Sequence, residues 1–283
     1  MATILGTFQS TLTDFKYLRS IWKKNTEEER LLGVSLTGIM DNQLTAGKSA
    51  HLGINIGQTL EALKDVAIDA NKAMAKQLKI SQSTAITCVK PSGTVSQLVD
   101  SASGIHARHN PYYIRTVRGD NKDPLTQFMV AQGIPAEPDV MKPDSTTVFS
   151  FPMRSPARAV TRTAMSAIEQ LELWLMYQRY WCEHKPSVTI SVKEEEWMDV
   201  GSWVYKHFDE VSGISFLPFS EHTYKQAPYQ DCTKEEYEEM KAQMPISIDW
   251  SALQEFEKED TTSGGRELAC TAGVCEVVDL TAA

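Results

Sequence analysis

The chain has 283 residues, 42% hydrophobic and 23% charged, with 37 acidic against 28 basic residues and a formal net charge of −9. That is enough for one large domain or two small ones with a sizeable core, and the acidic balance argues against direct nucleic-acid binding over a broad surface. No apolar run approaches the ~20 residues of a membrane span, the first residues lack a secretory leader's basic-then-apolar order, and five cysteines do not suggest a disulfide framework in a chain this long. The expectation is a soluble protein of a reducing cytoplasm.

In chain order, TEEERLLGVSLTGIMD (26–41) predicts a helix start, with Thr26 as N-cap and Glu27, Glu28 and Glu29 at the positive end of the dipole. Leu52, Ile56, Leu60, Leu63, Ala67, Ala70 and Met74 recur at steps of three and four and predict a long helix. STAITCVK (83–90) reads as a short buried strand stopped by Pro91, and YYIRTVR (112–118) as another strand. DPLTQFMVAQG (123–133) predicts a helix with Asp123 as N-cap, Pro124 in its first turn and Gly133 beyond its end. TTVFSFPM (146–153) predicts a strand, 158–183 a long helix, PSVTISV (186–192) a strand, 194–208 a helix and GISFLPF (213–219) a strand.

Short apolar strands alternating with helices predict an α/β fold with a largely parallel sheet of four or five strands, too few for a complete barrel. Beyond residue 220 the character changes. Asp231 to Asp260 carries ten acidic and three basic residues, which predicts a peripheral acidic helical segment leading into a Gly-containing tail.

Several stretches offer chemistry. AGKSA (46–50) has the ending of a phosphate-binding P-loop, but Asn42 stands where that pattern needs glycine and no strand precedes it. VKPSGTVSQL (89–98) is more informative, because a strand ends at Pro91 and a turn leads toward a helix. Gly93 allows close backbone approach, Ser92, Thr94 and Ser96 bring hydroxyls, Lys90 brings charge, and a helix start favours an anion. A plain strand–turn–helix corner is the competing reading. GIHARHNPYYIRTVR (104–118) holds His106, Arg108, His109, Arg115 and Arg118, a set better suited to the neighbourhood of an anion than to a metal. Cys182 beside His184 suggests a nucleophile pair only weakly, and a buried thiol is the default. Cys88, within an apolar strand, reads as core. In the tail, Cys270 and Cys275 are separated by Thr-Ala-Gly-Val, which suits an accessible dithiol exchanging electrons between partners. A metal pair and two unrelated thiols are the alternatives.

Taken together, ERLLGVSLTGIMD, ITCVKPSGTVSQLVDSASGIHARHNPYYIRTVR, SAIEQLELWLMYQRYWCEHKPSVTISV, YKQAPYQDCTKEEYEEM and CTAGVC strongly resemble, in order, the C-terminal part of adenosylcobalamin-dependent (class II) ribonucleotide reductase. The monomeric type acting on ribonucleoside triphosphates is the nearest in pattern. The resemblance implies that 1–220 form the second half of a ten-stranded α/β barrel. Residues 221–262 would then be the peripheral acidic segment and 263–283 a flexible redox tail.

It further implies that Pro91, Ser92, Gly93, Thr94, Val95 and Ser96 form the loop holding the substrate's phosphates. Cys270 and Cys275 would be the tail dithiol fed by a thioredoxin-type reductant. The family's radical cysteine lies in a stretch like Asn-Pro-Cys-Gly-Glu, and no such stretch occurs in this sequence. The expectation is therefore a portion of a reductase that works with adenosylcobalamin and an N-terminal half, possessing the phosphate loop and the electron arm but not the radical centre. The alternative is an inactive remnant, or a nucleotide- or partner-binding module without its own catalysis.

Overall fold

The computed structural model describes residues 1–48, 53–219 and 224–258. The first part of the chain contains α1 (Ala2–Gln9), α2 (Ser20–Glu29), β1 (Val34–Ser35), α3 (Ile56–Leu78), β2 (Thr87–Cys88) and α4 (Val95–Leu98). Then follow β3 (Tyr112–Asp120), α5 (Pro124–Ala131), β4 (Ala136–Pro138), β5 (Thr146–Arg154) and α6 (Ala167–Tyr180). The last are β6 (Ser187–Val192), α7 (Trp197–Lys206), β7 (Gly213–Pro218), β8 (Tyr229–Asp231), α8 (Lys234–Gln243) and α9 (Leu253–Phe256). No helix among the described residues is long and apolar enough to cross a membrane.

Two compact units emerge: Met1–Arg108 with Arg158–Phe219, and His109–Ala157 with the described part of Ser220–Ala283. This differs from the division expected at residue 220. The second unit draws 109–157 to the later segment because β8 pairs antiparallel with β3, Tyr113 opposite Asp231, and because Tyr237 of α8 packs on Tyr112 of β3 at 5.1 Å.

The first unit is built on α6. Its Leu171, Trp174, Leu175 and Tyr177 are all buried, and they join Met40, Leu60, Val89, Ile190 and Val192 in one core. Strands β1 and β2 pair in parallel, as do β6 and β7. The Ser187 N–H donates to the Val89 carbonyl (3.0 Å), so the start of β6 lies alongside the end of β2. Alternation along β6 buries Val188, Ile190 and Val192 and leaves Ser187, Thr189 and Ser191 half-buried. The expected helix over 158–183 is shorter, because Ser166 and Glu169 form a reciprocal capping box that starts it at Ala167. The helix start expected at Thr26 is corrected as well. Thr26 lies inside α2, and the chain leaves that helix at Arg30 in a left-handed conformation (φ 44°) before entering β1.

The second unit overturns the largely parallel sheet. Its sheet has four strands in the order β4–β5–β3–β8, every pairing antiparallel. Strands β3 and β5 are paired over nine residues each, from Tyr112 opposite Arg154 to Asp120 opposite Thr146. Between them α5 is capped as expected. The Asp123 side chain accepts the Leu125 N–H, Pro124 lies in the first turn, and Gly133 has φ +78°. Strand–helix–strand alternation reads the same whether the chain crosses over or folds back, and only the pairing decides the direction.

Candidate functional site

Within the first unit, the end of β2 leads through Lys90 and Pro91 into a bend at Gly93 and Thr94, then into the single turn of α4. This segment is held mostly by its own serines. The Ser92 Oγ accepts the Ser96 N–H (3.0 Å), and the Ser96 hydroxyl, fully buried, donates to the Ser92 carbonyl (2.8 Å). Ser103 closes the bend from the other side, accepting the Ser92 N–H at its Oγ (2.7 Å) and donating to the Ser92 carbonyl (3.0 Å). The Ser92 and Ser96 hydroxyls therefore shape the turn. No hydrogen bond within the described residues engages the N–H groups of Gly93, Thr94 or Val95. Thr94 and Val95 are exposed, and Lys90 Nζ donates to Ser187 Oγ at 2.8 Å, at the start of β6. The arrangement offers free backbone donors and one cation at the carboxyl end of a parallel strand, which is where α/β proteins place anionic ligands.

Gly104 explains why this geometry needs its glycine. It has φ +55°, and a Cβ there would lie 2.8 Å from the Lys90 carbonyl oxygen, so only a residue without a side chain fits. Next to it His106 is engaged at both ring nitrogens, Nδ1 with the Ser103 carbonyl (3.1 Å) and Nε2 with the Thr189 N–H (3.1 Å). Arg108 is buried and forks onto Asp41, with further bonds to the Asp100 carboxylate and carbonyl.

The other sequence candidates have other partners. Lys48 of the AGKSA pattern pairs with Glu169 at the start of α6, and residues 49–50 of that pattern lie outside the described residues. The thiol of Cys182 is pushed up to about 12 by burial, with the nearby Cys88 adding to the rise. Burial also raises Cys88. His184 directs Nε2 to the Leu32 carbonyl at 2.7 Å. Cys182 and His184 therefore do not make an activated nucleophile. Cys182, His184, Lys185, Asp209, Glu210 and Ser212 instead line an open polar cleft of about 440 Å³. On its rim the Arg179 guanidinium holds Glu210 down at about 2.

In the second unit, His109 lies 2.7 Å from Asp231 and stacks on Tyr229, over which Arg115 also lies at 4.7 Å. Arg118 donates to Asp139 (2.7 Å) and to the Gln226 carbonyl (3.0 Å). These residues tie β3 to its neighbours. Among the described residues no group of three His, Cys, Asp or Glu side chains is arranged to hold a metal. Cys270 and Cys275 lie outside the described residues.

Sequence reasoning missed Ser103, Asp41 and Thr189. Asp41 and Thr189 reach the flank of the turn only across the fold, while Ser103, just before a Gly-Ile-His stretch and eleven residues from Ser92, carried a local hint.

No protein-family model matches the chain. The chain is 31% identical over 248 residues to an adenosylcobalamin-dependent ribonucleoside-triphosphate reductase of Euglena gracilis, covering 81% of this chain and 33% of that relative. A protein of the same description from Lactobacillus acidophilus is 26% identical over 304 residues, covering 97% of this chain and 40% of its own length. One from Lactobacillus gasseri is 28% identical over 293 residues, covering 93% and 38%. A crystal structure of a B12-dependent (class II) ribonucleotide reductase shares the fold with a TM-score of 0.72 at 22% identity, over 93% of this chain and 40% of that one. Homologues of one description thus cover most of this chain, while the chain spans only 33% to 40% of their length.

Proposed function

We propose that this chain, whose homologues are adenosylcobalamin-dependent ribonucleoside-triphosphate reductases and therefore oxidoreductases, supplies the substrate-phosphate turn and the electron-delivering dithiol of such an enzyme. The observation that carries the reading is the turn at 91–96. Among the described residues nothing engages its N–H groups at Gly93, Thr94 and Val95, Lys90 flanks it in sequence, and it lies inside a stretch aligned with the reductases. Backbone donors at the end of a parallel strand favour a polyphosphate over a neutral ligand. The two parallel pairs β1–β2 and β6–β7, adjoining through Ser187 and Val89, support the further reading that the first unit is part of one half of the reductase barrel.

The chemistry divides by residue. The turn anchors the triphosphate of a ribonucleotide and so fixes where the ribose lies. Reduction of that ribose releases its 2′ hydroxyl as water and oxidises two thiols to a disulfide. Cys270 and Cys275 would restore those thiols. The tail dithiol reduces the disulfide, becomes a disulfide itself, and is reduced in turn by a thioredoxin-type dithiol, two electrons passing at each exchange. The cofactor in the relatives' description would supply radical generation in the complete enzyme. The charged cleft of about 440 Å³ does not fit a corrin with its nucleoside. The two tasks given to this chain, anchoring phosphate and delivering electrons, do not touch the cobalt.

The free thiols of Cys88, Cys182 and Cys232 suit the reducing cytoplasm. Because the relatives extend well beyond the matched part, turnover is assigned to this chain only in combination with the portion they possess and this alignment does not reach. One observation also favours a partner-binding role. Helix α2 fully buries none of its residues and exposes Trp22 at 55% and Ile21 at 46%. Such an apolar surface suits packing against another segment.

The test is nucleotide reduction. The chain with adenosylcobalamin, a ribonucleoside triphosphate and a dithiol should turn over only when the remaining portion of a relative is added. In that reconstituted enzyme Cys270→Ser or Cys275→Ser should abolish turnover driven by thioredoxin and spare turnover driven by dithiothreitol. Equal thioredoxin-driven rates in wild type and variants would remove the shuttle assignment.

A further inference from the structure

We propose that His106 is a positioning residue that takes over the hydrogen-bond ladder of β6 where β2 has turned away, and so fixes the Ser92–Ser96 turn against the sheet. The importance of that turn rests on the phosphate-binding reading above; the mechanical role of His106 does not.

Alternate residues of a strand present their N–H groups to the same neighbour. On the edge of β6 that faces β2, the Ser187 N–H finds the Val89 carbonyl at 3.0 Å. Two residues on, the Thr189 N–H faces the same way, but the chain beyond Val89 bends off at Pro91 to make the turn. A strand N–H left there without a partner would cost a full desolvation penalty. His106 Nε2 fills the place at 3.1 Å.

An acceptor at Nε2 requires the proton on Nδ1, and Nδ1 meets the Ser103 carbonyl at 3.1 Å. Ser103 in turn grips both the N–H and the carbonyl of Ser92 through its hydroxyl. Thr189, His106, Ser103 and Ser92 therefore form one continuous relay from the sheet to the turn. The neutral ring supplies one donor and one acceptor at a fixed separation, which no charged side chain provides. Burial pulls the His106 pKa below its usual value against the opposing pull of the Ser103 carbonyl, in keeping with a neutral ring. Gly104 lets the segment come close enough for the relay to close, since any Cβ there would meet the Lys90 carbonyl.

The experiment compares amide hydrogen exchange and imidazole ¹⁵N shifts in the full chain for wild type, His106→Ala, His106→Gln and His106→Asn. The wild-type shifts should report the Nδ1–H tautomer. His106→Ala should accelerate exchange at Thr189, Ser92 and Ser96 by about tenfold or more, with remote amides of α3 and β3 unchanged. His106→Gln, which keeps an acceptor within reach of Thr189, should restore protection at Thr189. His106→Asn, which keeps a donor near Ser103, should restore it at Ser92.

Inorganic triphosphate is then titrated while the Gly93, Thr94 and Val95 amides are followed. Weaker binding in His106→Ala than in His106→Gln adds support. A wild-type chain that binds no triphosphate at those amides would end the phosphate reading and leave the exchange result to stand by itself. Wild-type exchange rates at Thr189 and Ser92 in His106→Ala, or an Nε2–H tautomer, would overturn the proposal.

Discussion

Arg108 and Asp41 form a two-armed ion pair, Nε to Oδ1 at 2.7 Å and Nη2 to Oδ2 at 3.0 Å, although 67 positions separate them in the chain. The arginine side chain is 6% exposed and its partner 18%. The same Asp41 carboxylate accepts the Ala102 N–H at 2.7 Å, so the pair also anchors the segment that returns from α4. Removing one member of a buried pair leaves an uncompensated charge, which costs more than the pair itself contributes. Asp41→Asn should therefore destabilise the chain by about 3 kcal/mol, the low end of the range for such pairs because Asp100 still holds Arg108. Arg108→Lys should also destabilise the chain, since an ammonium cannot make the fork. Urea unfolding measures both, and a loss of less than about 1 kcal/mol in Asp41→Asn would mean the pair behaves as a surface bridge.

Gly104→Ala tests how tightly the turn is enclosed. The added Cβ would meet the Lys90 carbonyl oxygen at 2.8 Å, a backbone atom that cannot swing aside, and the φ is +55°. That φ is itself unfavourable for alanine. We expect a loss of about 2 kcal/mol in unfolding free energy, with shifted amide resonances at Lys90, Ser92 and Ser103. Gly53→Ala serves as the control. Its φ is +66° but nothing lies within 4 Å of the added Cβ, so it should show the conformational cost without the collision.

Where local chemistry decided the structure, the sequence could be read. Asp123, Pro124 and Gly133 announce α5 because capping and left-handed termination act within a few residues. Apolar spacing announced α3, and Pro91 with Ser92 and Gly93 announced the turn. Long-range pairing was not legible. Strand β2 lies within the strand read at 83–90, but its parallel partner β1, Val34 opposite Thr87, was not foreseen, and the antiparallel course of β3 and β5 is written in their mutual register. The partners that lock the turn, Ser103 and Thr189, are ordinary residues whose value comes from position. The capping box of Ser166 and Glu169 was readable from spacing and still missed, because the apolar pattern upstream of Ala167 continues through residues that are not helical.

Thiol reactivity should separate Cys88 and Cys182 from the proposed shuttle pair. Cys182 is pushed up to about 12 by burial, and the same cause raises Cys88. The raised pKa keeps the Cys182 thiolate, the form that reacts, scarce at pH 8. Iodoacetamide added to the reduced native chain should therefore leave Cys182 and Cys88 unmodified while Cys270 and Cys275 are alkylated first. Peptide mass spectrometry after timed quenching reads this directly. Labelling of Cys182 as fast as Cys270 would contradict the burial argument.

His106 also gives stability a pH dependence whose sign follows from its surroundings. Burial lowers its pKa, and the Ser103 carbonyl opposes that shift. The charged groups of the neighbouring segments, Lys90, Asp41, Asp100 and Arg108, are themselves bonded to Ser187 or to one another. In the unfolded chain the ring titrates at about 6.5. Between that value and the lower folded value, the unfolded chain holds a proton that the folded chain lacks. Stability is then complete above the unfolded pKa and declines as pH falls toward the folded one, by at most about 1.4 kcal/mol per pH unit for this single group. The chain has five other histidines, so the informative quantity is a difference. Urea unfolding at pH 7.5 and pH 5.5 should show a larger acid loss in wild type than in His106→Gln, which carries no titratable ring. Equal losses in the two proteins would show that His106 is protonated in the fold as readily as in the unfolded chain, and the neutral relay from Thr189 to Ser92 would have to be abandoned.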